Sequence, residues 1–285
     1  MAKRKHRKVS YNVFNIKYFS NTNNEDRLKY DLLIQKLFEA DLKIHVHSDK
    51  YVFIRRLQKS PDGSFYYGTF SRVTRIEGDW INTTTKEIVN FDIPKDVFAN
   101  LKEADFVFVP KCHRLALRRT PIFSLKVILK FLSLGLDHVK DPESQIAVDI
   151  EKSEDVIQKI FNAQRVKKLK VSISYTNDDF GDDYLEWMDE ILKESRINDL
   201  SYEAKPDASG NIDVNSKFVR GTLSLSQNNG NAVARIVNSE NRTETVKTIE
   251  YPRVDFVKVE AEIADLFNFA RTAAQQLIER LRPNG

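Results

Sequence analysis

Ala104-Asp-Phe-Val-Phe-Val-Pro-Lys-Cys-His-Arg-Leu-Ala-Leu117 is the stretch that decides the fold. Apolar and β-branched side chains crowd both sides of Pro110, and proline cannot donate to a strand ladder. The stretch therefore reads as two strands with a break at Pro110. Upstream, Val9–Tyr18 alternates but carries apolar side chains in both sets, the pattern of a strand buried on two faces. Leu28, Leu32, Ile34, Leu37 and Phe38 then mark an amphipathic helix over about residues 25–40. Strand-like alternation returns over Leu42–Leu57 and Phe65–Ile76, separated by the turn Ser60-Pro-Asp-Gly-Ser64, where Pro presets φ and Gly takes positive φ. From Val9 the order is β-α-β-β-β. A helical turn or short helix started by Pro94 is expected over Ile93–Leu101.

Downstream, Thr120–Leu136 is apolar but holds Lys126 and Lys130. Two lysines at that depth are costly in a bilayer, so residues 121–136 read as a buried helix and no membrane insertion is expected. The stretch after the basic N-terminus is a strand pattern rather than an unbroken apolar run, so a secretory signal is not indicated and a cytoplasmic location is expected. A linker near residue 141 divides the chain into a basic tail (1–8), an N-terminal α+β domain (9–140) and a C-terminal α+β domain (141–285). The second contains strands at 144–150 and 166–175, a helix capped by Ser153, and an acidic helix at 182–195. Strand patterns follow at 199–206, 217–226, 231–238 and 243–251, with a hairpin turn at Asn228–Asn231, and a long helix closes the chain over 259–282. The class is α+β, with mixed or antiparallel sheets and packed helices.

Composition narrows the chemistry. Of 285 residues 45 are basic and 41 acidic, a net charge of +4. The one cysteine, Cys112, excludes an intramolecular disulfide and a multi-cysteine zinc site, and reads as a buried small hydrophobe. No Gly-rich phosphate loop is present, so no nucleotide cofactor is implied. His45 and His47 lie two apart on a strand, but no third ligand completes a metal site. Glu203-Ala-Lys205 puts a carboxylate and a lysine on one strand face, the arrangement of a metal-dependent nuclease if an acid such as Asp189 joins them. The acidic run Asp178–Glu190 reads as a solvated helix start, with cation binding, nucleic-acid mimicry or, for the helix at 182–194, partner docking as the alternatives.

The basic residues are clustered. Lys111, Arg114, Arg118, Arg119 and Lys126 form one group; Arg165, Lys167, Lys168 and Lys170 form another. With the tail, these are candidate phosphate contacts to DNA or RNA. The interleaved Tyr66, Tyr67, Phe70 and Phe123 suggest base stacking. The alternative is an ordinary basic surface.

Phe106-x-Phe-x-Pro-x-x-His-Arg114 is similar to a motif of a bacterial phage-defence family of unknown function, and Tyr67-Gly-Thr-Phe70 followed by Trp80 fits the same pattern. More loosely, the element order and the run Glu203–Gly210 resemble the RexA-like and KwaB-like phage-exclusion proteins. This resemblance implies a two-domain α+β homodimer that binds DNA without sequence specificity in antiviral defence, beside a partner protein. It supplies no catalytic residue, and it leaves His113 and Arg114 open between a structural role and a phosphate contact. A nuclease subunit and a protein-interaction subunit are the alternatives.

Overall fold

The computed structural model describes residues 6–19, 26–174, 183–260 and 266–280. The chain runs β1 (His6–Phe19), α1 (Asp26–Glu39), β2 (Ile44–His47), β3 (Lys50–Lys59), β4 (Tyr66–Thr74), β5 (Trp80–Ile81), β6 (Ile88–Val89) and β7 (Ala99–Val109). A 3-10 turn, Pro110–Cys112, leads to β8 (Arg114–Arg118), α2 (Leu125–Val139), β9 (Gln145–Ile150) and α3 (Glu154–Phe161). Then come β10 (Arg165–Ser174), α4 (Asp183–Glu194), β11 (Asp199–Ala204), α5 (Lys217–Asn228), β12 (Gly230–Val237), β13 (Thr243–Lys247), β14 (Asp255–Glu260) and α6 (Leu266–Glu279). The fold is α+β and its ladders are antiparallel.

β1 is the spine. The large sheet is ordered β14-β1-β8-β7-β4-β3-β2, with β9 also paired to β1. Phe14, Ile16 and Tyr18 point into a core shared with α1 and α2. Val9, Tyr11 and Val13 point the other way, against Ala270, Ala273 and Ala274 of α6, whose small side chains let the helix lie close. The two-faced pattern of Val9–Tyr18 thus becomes a strand covered on both sides. The break at Pro110 is a single 3-10 turn closed by His113, which takes left-handed φ 55. The turn at residues 60–64 is held by Asp62, which accepts from the Ser60 and Ser64 hydroxyls; these bonds hold its carboxyl down at about 2.

The small sheet is ordered β11-β10-β12-β13. α3, α4 and α5 cover one face, around Leu169, Val171, Ile173, Met188 and Leu223.

Several expectations are corrected. A cut at residues 140/141 divides one sheet, because β9 and β14 both pair with β1. Residues 6–8 are not tail but the start of β1, paired with residues 258–260; residues 1–5 lie outside the described residues. Pro94 opens a single turn, closed by the Val97 N–H donating to its carbonyl at 2.9 Å, and not a helix over 93–101, since Ala99 already pairs with Thr74. Residues 217–226 are helical. Val219, Thr222, Leu223 and Ser226 form its buried stripe, and the Thr222 and Ser226 hydroxyls donate back to helix carbonyls, which lets polar side chains occupy it. Asn228–Asn231 is consequently a helix exit rather than a hairpin. The closing helix starts at Leu266, and Asp255–Glu260 before it is a strand.

The two sheets meet in a buried polar junction. Lys17 and Lys152 are each 1% exposed. Lys17 Nζ lies 2.7 Å from Asp149 and donates to Ser174 of the small sheet. Lys152 Nζ donates to the Gly230 carbonyl. Asn15 Nδ2 donates to Asn229 Oδ1 at 2.7 Å.

Burial pushes the Lys152 ammonium from 10.5 down to about 8; Asp149 opposes this and Lys17 reinforces it. Between those values the folded chain binds fewer protons than the unfolded chain, so stability rises with pH. The full penalty, about 3 kcal/mol, applies below pH 8 and vanishes above about 10.5. Urea unfolding between about pH 7.5 and 9.5 is expected to show a gain of about 2 kcal/mol that Lys152→Met abolishes.

Candidate nucleic-acid interface

Period-two alternation sets the outer face of the small sheet. Along β10, Val166, Leu169, Val171 and Ile173 turn toward the helices, while Lys168 and Lys170 face solvent. A register shift between Val166 and Lys168 leaves Lys167 exposed as well. Arg235 on β12 stands directly opposite Lys168. In the next row Glu203, Lys170, Val233 and Lys247 lie side by side across all four strands. Ser172, Ser201 and Asn231 form a third row of small polar side chains. Arg165 and Lys205 are exposed at the margins.

Seven cations (Arg165, Lys167, Lys168, Lys170, Lys205, Arg235 and Lys247) thus surround an uncovered sheet face. The opposing acids are few. Glu203 lies 2.9 Å from Lys168, and that hydrogen bond, helped by the charges of Lys168, Lys205 and Lys170, holds its carboxyl below the usual range. Lys247 pairs with Glu250 at 3.1 Å. Like charges directly opposite on neighbouring strands oppose pairing, so the Lys168–Arg235 pair costs stability that a bound anion would relieve. No aromatic side chain projects from this face among the described residues. Its chemistry suits phosphate contact rather than base stacking.

The other predicted group is dispersed. Lys111, in the 3-10 turn, and Arg119 are both exposed but stand at opposite ends of β8, whose five residues span about 17 Å. Arg114 is buried: Nε lies 2.5 Å from Glu151, and Nη1 donates to Asn15 and the Cys112 carbonyl. Of the two roles left open for it, the structural one holds. His113 likewise stacks on Tyr30, ring centroids 4.0 Å apart. Arg118 is tied to Asp105 at 2.8 Å. Lys126 is exposed on α2. The proposed stacking residues are also corrected, since Tyr66, Phe70 and Phe123 are buried in the core.

A family model described as a domain of unknown function, DUF4747, matches residues 7–278. The chain belongs to the DUF4747 family. No curated protein matches it. The matched span of this DUF4747 chain takes in both sheets and every residue of the basic face.

Glu203 and Asp189 are not brought together. Glu203 is on the outer face of β11, whereas Asp189 is 1% exposed on α4, on the helix-covered side, 2.9 Å from Lys193. Among the described residues no group of three or more His, Cys, Asp or Glu side chains is placed to hold a metal ion. Much of the acidic run, residues 178–182, lies outside the described residues. No helix among them is long and apolar enough to cross a membrane.

Arg235 and Lys247 were missed in the sequence, and Lys205 was read only as part of the nuclease pair with Glu203. Arg235 carried a usable signal, alternating with Ala234 and Ile236, but its position beside Lys168 depends on register. Lys247 was hidden at the end of a run whose strand partner was not fixed.

Proposed function

We propose that this protein binds nucleic acid, DNA in the first place, without sequence specificity and without catalysis. The observation that carries the reading is the uncovered face of the small sheet, with Lys168, Lys170, Arg235 and Lys247 in adjacent rows. Cations at that spacing neutralise consecutive backbone phosphates and release their counterions, whatever the base sequence. A role in antiviral defence, as a homodimer beside a partner protein, is supported by the motif likeness over Phe106–Arg114.

The test is fluorescence anisotropy of a labelled duplex over a range of salt concentrations. If one chain meets five or six phosphates, log K falls against log salt with a slope of about −5. Replacing Lys168, Lys170, Arg235 and Lys247 by glutamine together is expected to weaken binding by about a hundredfold or more and bring the slope to about −1 to −2. Lys111→Gln with Lys126→Gln is expected to change neither. The same affinity and slope in the fourfold variant would remove the proposal. Intact DNA after incubation with Mg²⁺ separates binding from cleavage, and an RNA duplex run in parallel ranks the two nucleic acids.

A further inference from the structure

The large sheet contains a slot one strand wide. β8 lies between β1 and β7 but ends at Arg118, opposite Tyr11 and one residue beyond Leu117, its last partner to β7. The chain then leaves through Arg119–Pro121. β1 continues over His6–Ser10, where its strand partner among the described residues is β14 alone and the other edge receives one bond, from Arg119 to Ser10. β7 extends likewise over Ala99–Asp105, where its strand partner among the described residues is β4 alone. Strands flanking one absent neighbour stand about 10 Å apart, the width of one added strand. Arg7–Ser10, Glu103–Asp105 and Arg118–Pro121 line a common space of about 390 Å³ there.

The facing edge of β1 is set to pair. The Arg119 N–H donates to the Ser10 carbonyl at 2.9 Å, so Ser10 points toward β8. Alternation turns the N–H and C=O of Lys8 the same way, into the slot. The charges select an occupant. Asp105 is neutralised by Arg118 and Glu103 by Arg55, at 2.8 Å and 2.7 Å. Arg7 and Arg119 have no acidic partner among the described residues, while the Lys8 ammonium sits 3.7 Å over the Phe256 ring of β14.

We propose that this slot accepts an extended acidic segment of a partner protein as an added strand, continuing β8 between β1 and β7. Main-chain bonds to Lys8 and its neighbours supply the affinity, and the cations select carboxylates.

The probe is a fluorescein-labelled peptide of about six residues alternating Glu and Val, titrated against the full chain. Binding is expected, with a loss of about tenfold or more in each of three cases: Arg119→Glu, Lys8→Pro, and a peptide with alternate backbone amides methylated. Arg119 is exposed, so its variant is expected to keep the wild-type melting temperature; if Lys8→Pro does not fold, Arg119→Glu and the methylated peptide decide. Equal binding of the methylated peptide would overturn strand addition. So would absence of peptide binding, or an oligonucleotide of equal charge that binds through Arg119 where the peptide does not.

Discussion

Replacing Glu151 with alanine is expected to destabilise the protein by about 3–5 kcal/mol, a fall in melting temperature of about 6–15 °C for a chain of this size. Glu151 and Arg114 have side chains 6% and 8% exposed, and the carboxylate also faces Arg253 at 3.6 Å. Removing the carboxylate takes from the buried guanidinium the counter-charge 2.5 Å from its Nε, while its bonds to Asn15 and the Cys112 carbonyl stay in place. Loss of that buried counter-charge dominates the cost, so replacing both partners should hurt less than replacing one. Arg114→Met combined with Glu151→Leu is expected to recover most of the loss. Thermal unfolding of the single and double variants checks this. A single variant as stable as the wild type would show the junction to be wetter than its burial indicates.

Gly230→Ala is expected to cost more than about 3 kcal/mol and to leave little folded protein at growth temperature. Gly230 opens β12 at φ 150, and a Cβ there would sit 2.0 Å from the Ser172 carbonyl and 2.9 Å from Ile173 Cα. Both obstacles are backbone of the paired strand β10, so no side-chain rotation relieves them. Its carbonyl also accepts from Lys152, so displacing it disturbs the junction. Gly78→Ala is the internal control: its φ is also positive, 114, but no atom lies within 4 Å, and the cost is expected to be about 1–2 kcal/mol. Denaturant midpoints of the two variants separate steric collision from backbone strain.

The sequence made the first half legible because its signals are local. Alternation in Val9–Tyr18, the turn at Pro61-Asp-Gly63 and the break at Pro110 each act within a few residues. α5 was hidden because hydroxyl side chains occupy its buried stripe, so its helical period does not show as hydrophobicity. β14 went unread: Val259 and Glu260 fall within the span read as the helix that follows, and the short alternation of Val257 and Val259 is too brief to mark a strand. The site divides along the same line. Lys168 and Lys170 follow from alternation within one strand, while Arg235 and Lys247 join them only through cross-strand register. Arg114 shows the reverse, for nothing local distinguishes a guanidinium that faces solvent from one that meets Glu151 in the core.

The pairing of β1 with β14 carries a consequence for biosynthesis. The apolar strand β1 emerges from the ribosome long before its partner at residues 255–260. The Tyr11 hydroxyl likewise waits for Gln276, 265 positions away. Until then β1 carries sticky side chains on both faces and an open edge, while residues 165–247 can already close their own sheet. Contacts of such long sequence separation form slowly and leave intermediates prone to aggregation. Nascent chains are therefore expected to need a holding chaperone on the N-terminal strand, and truncation before residue 255 to give insoluble protein.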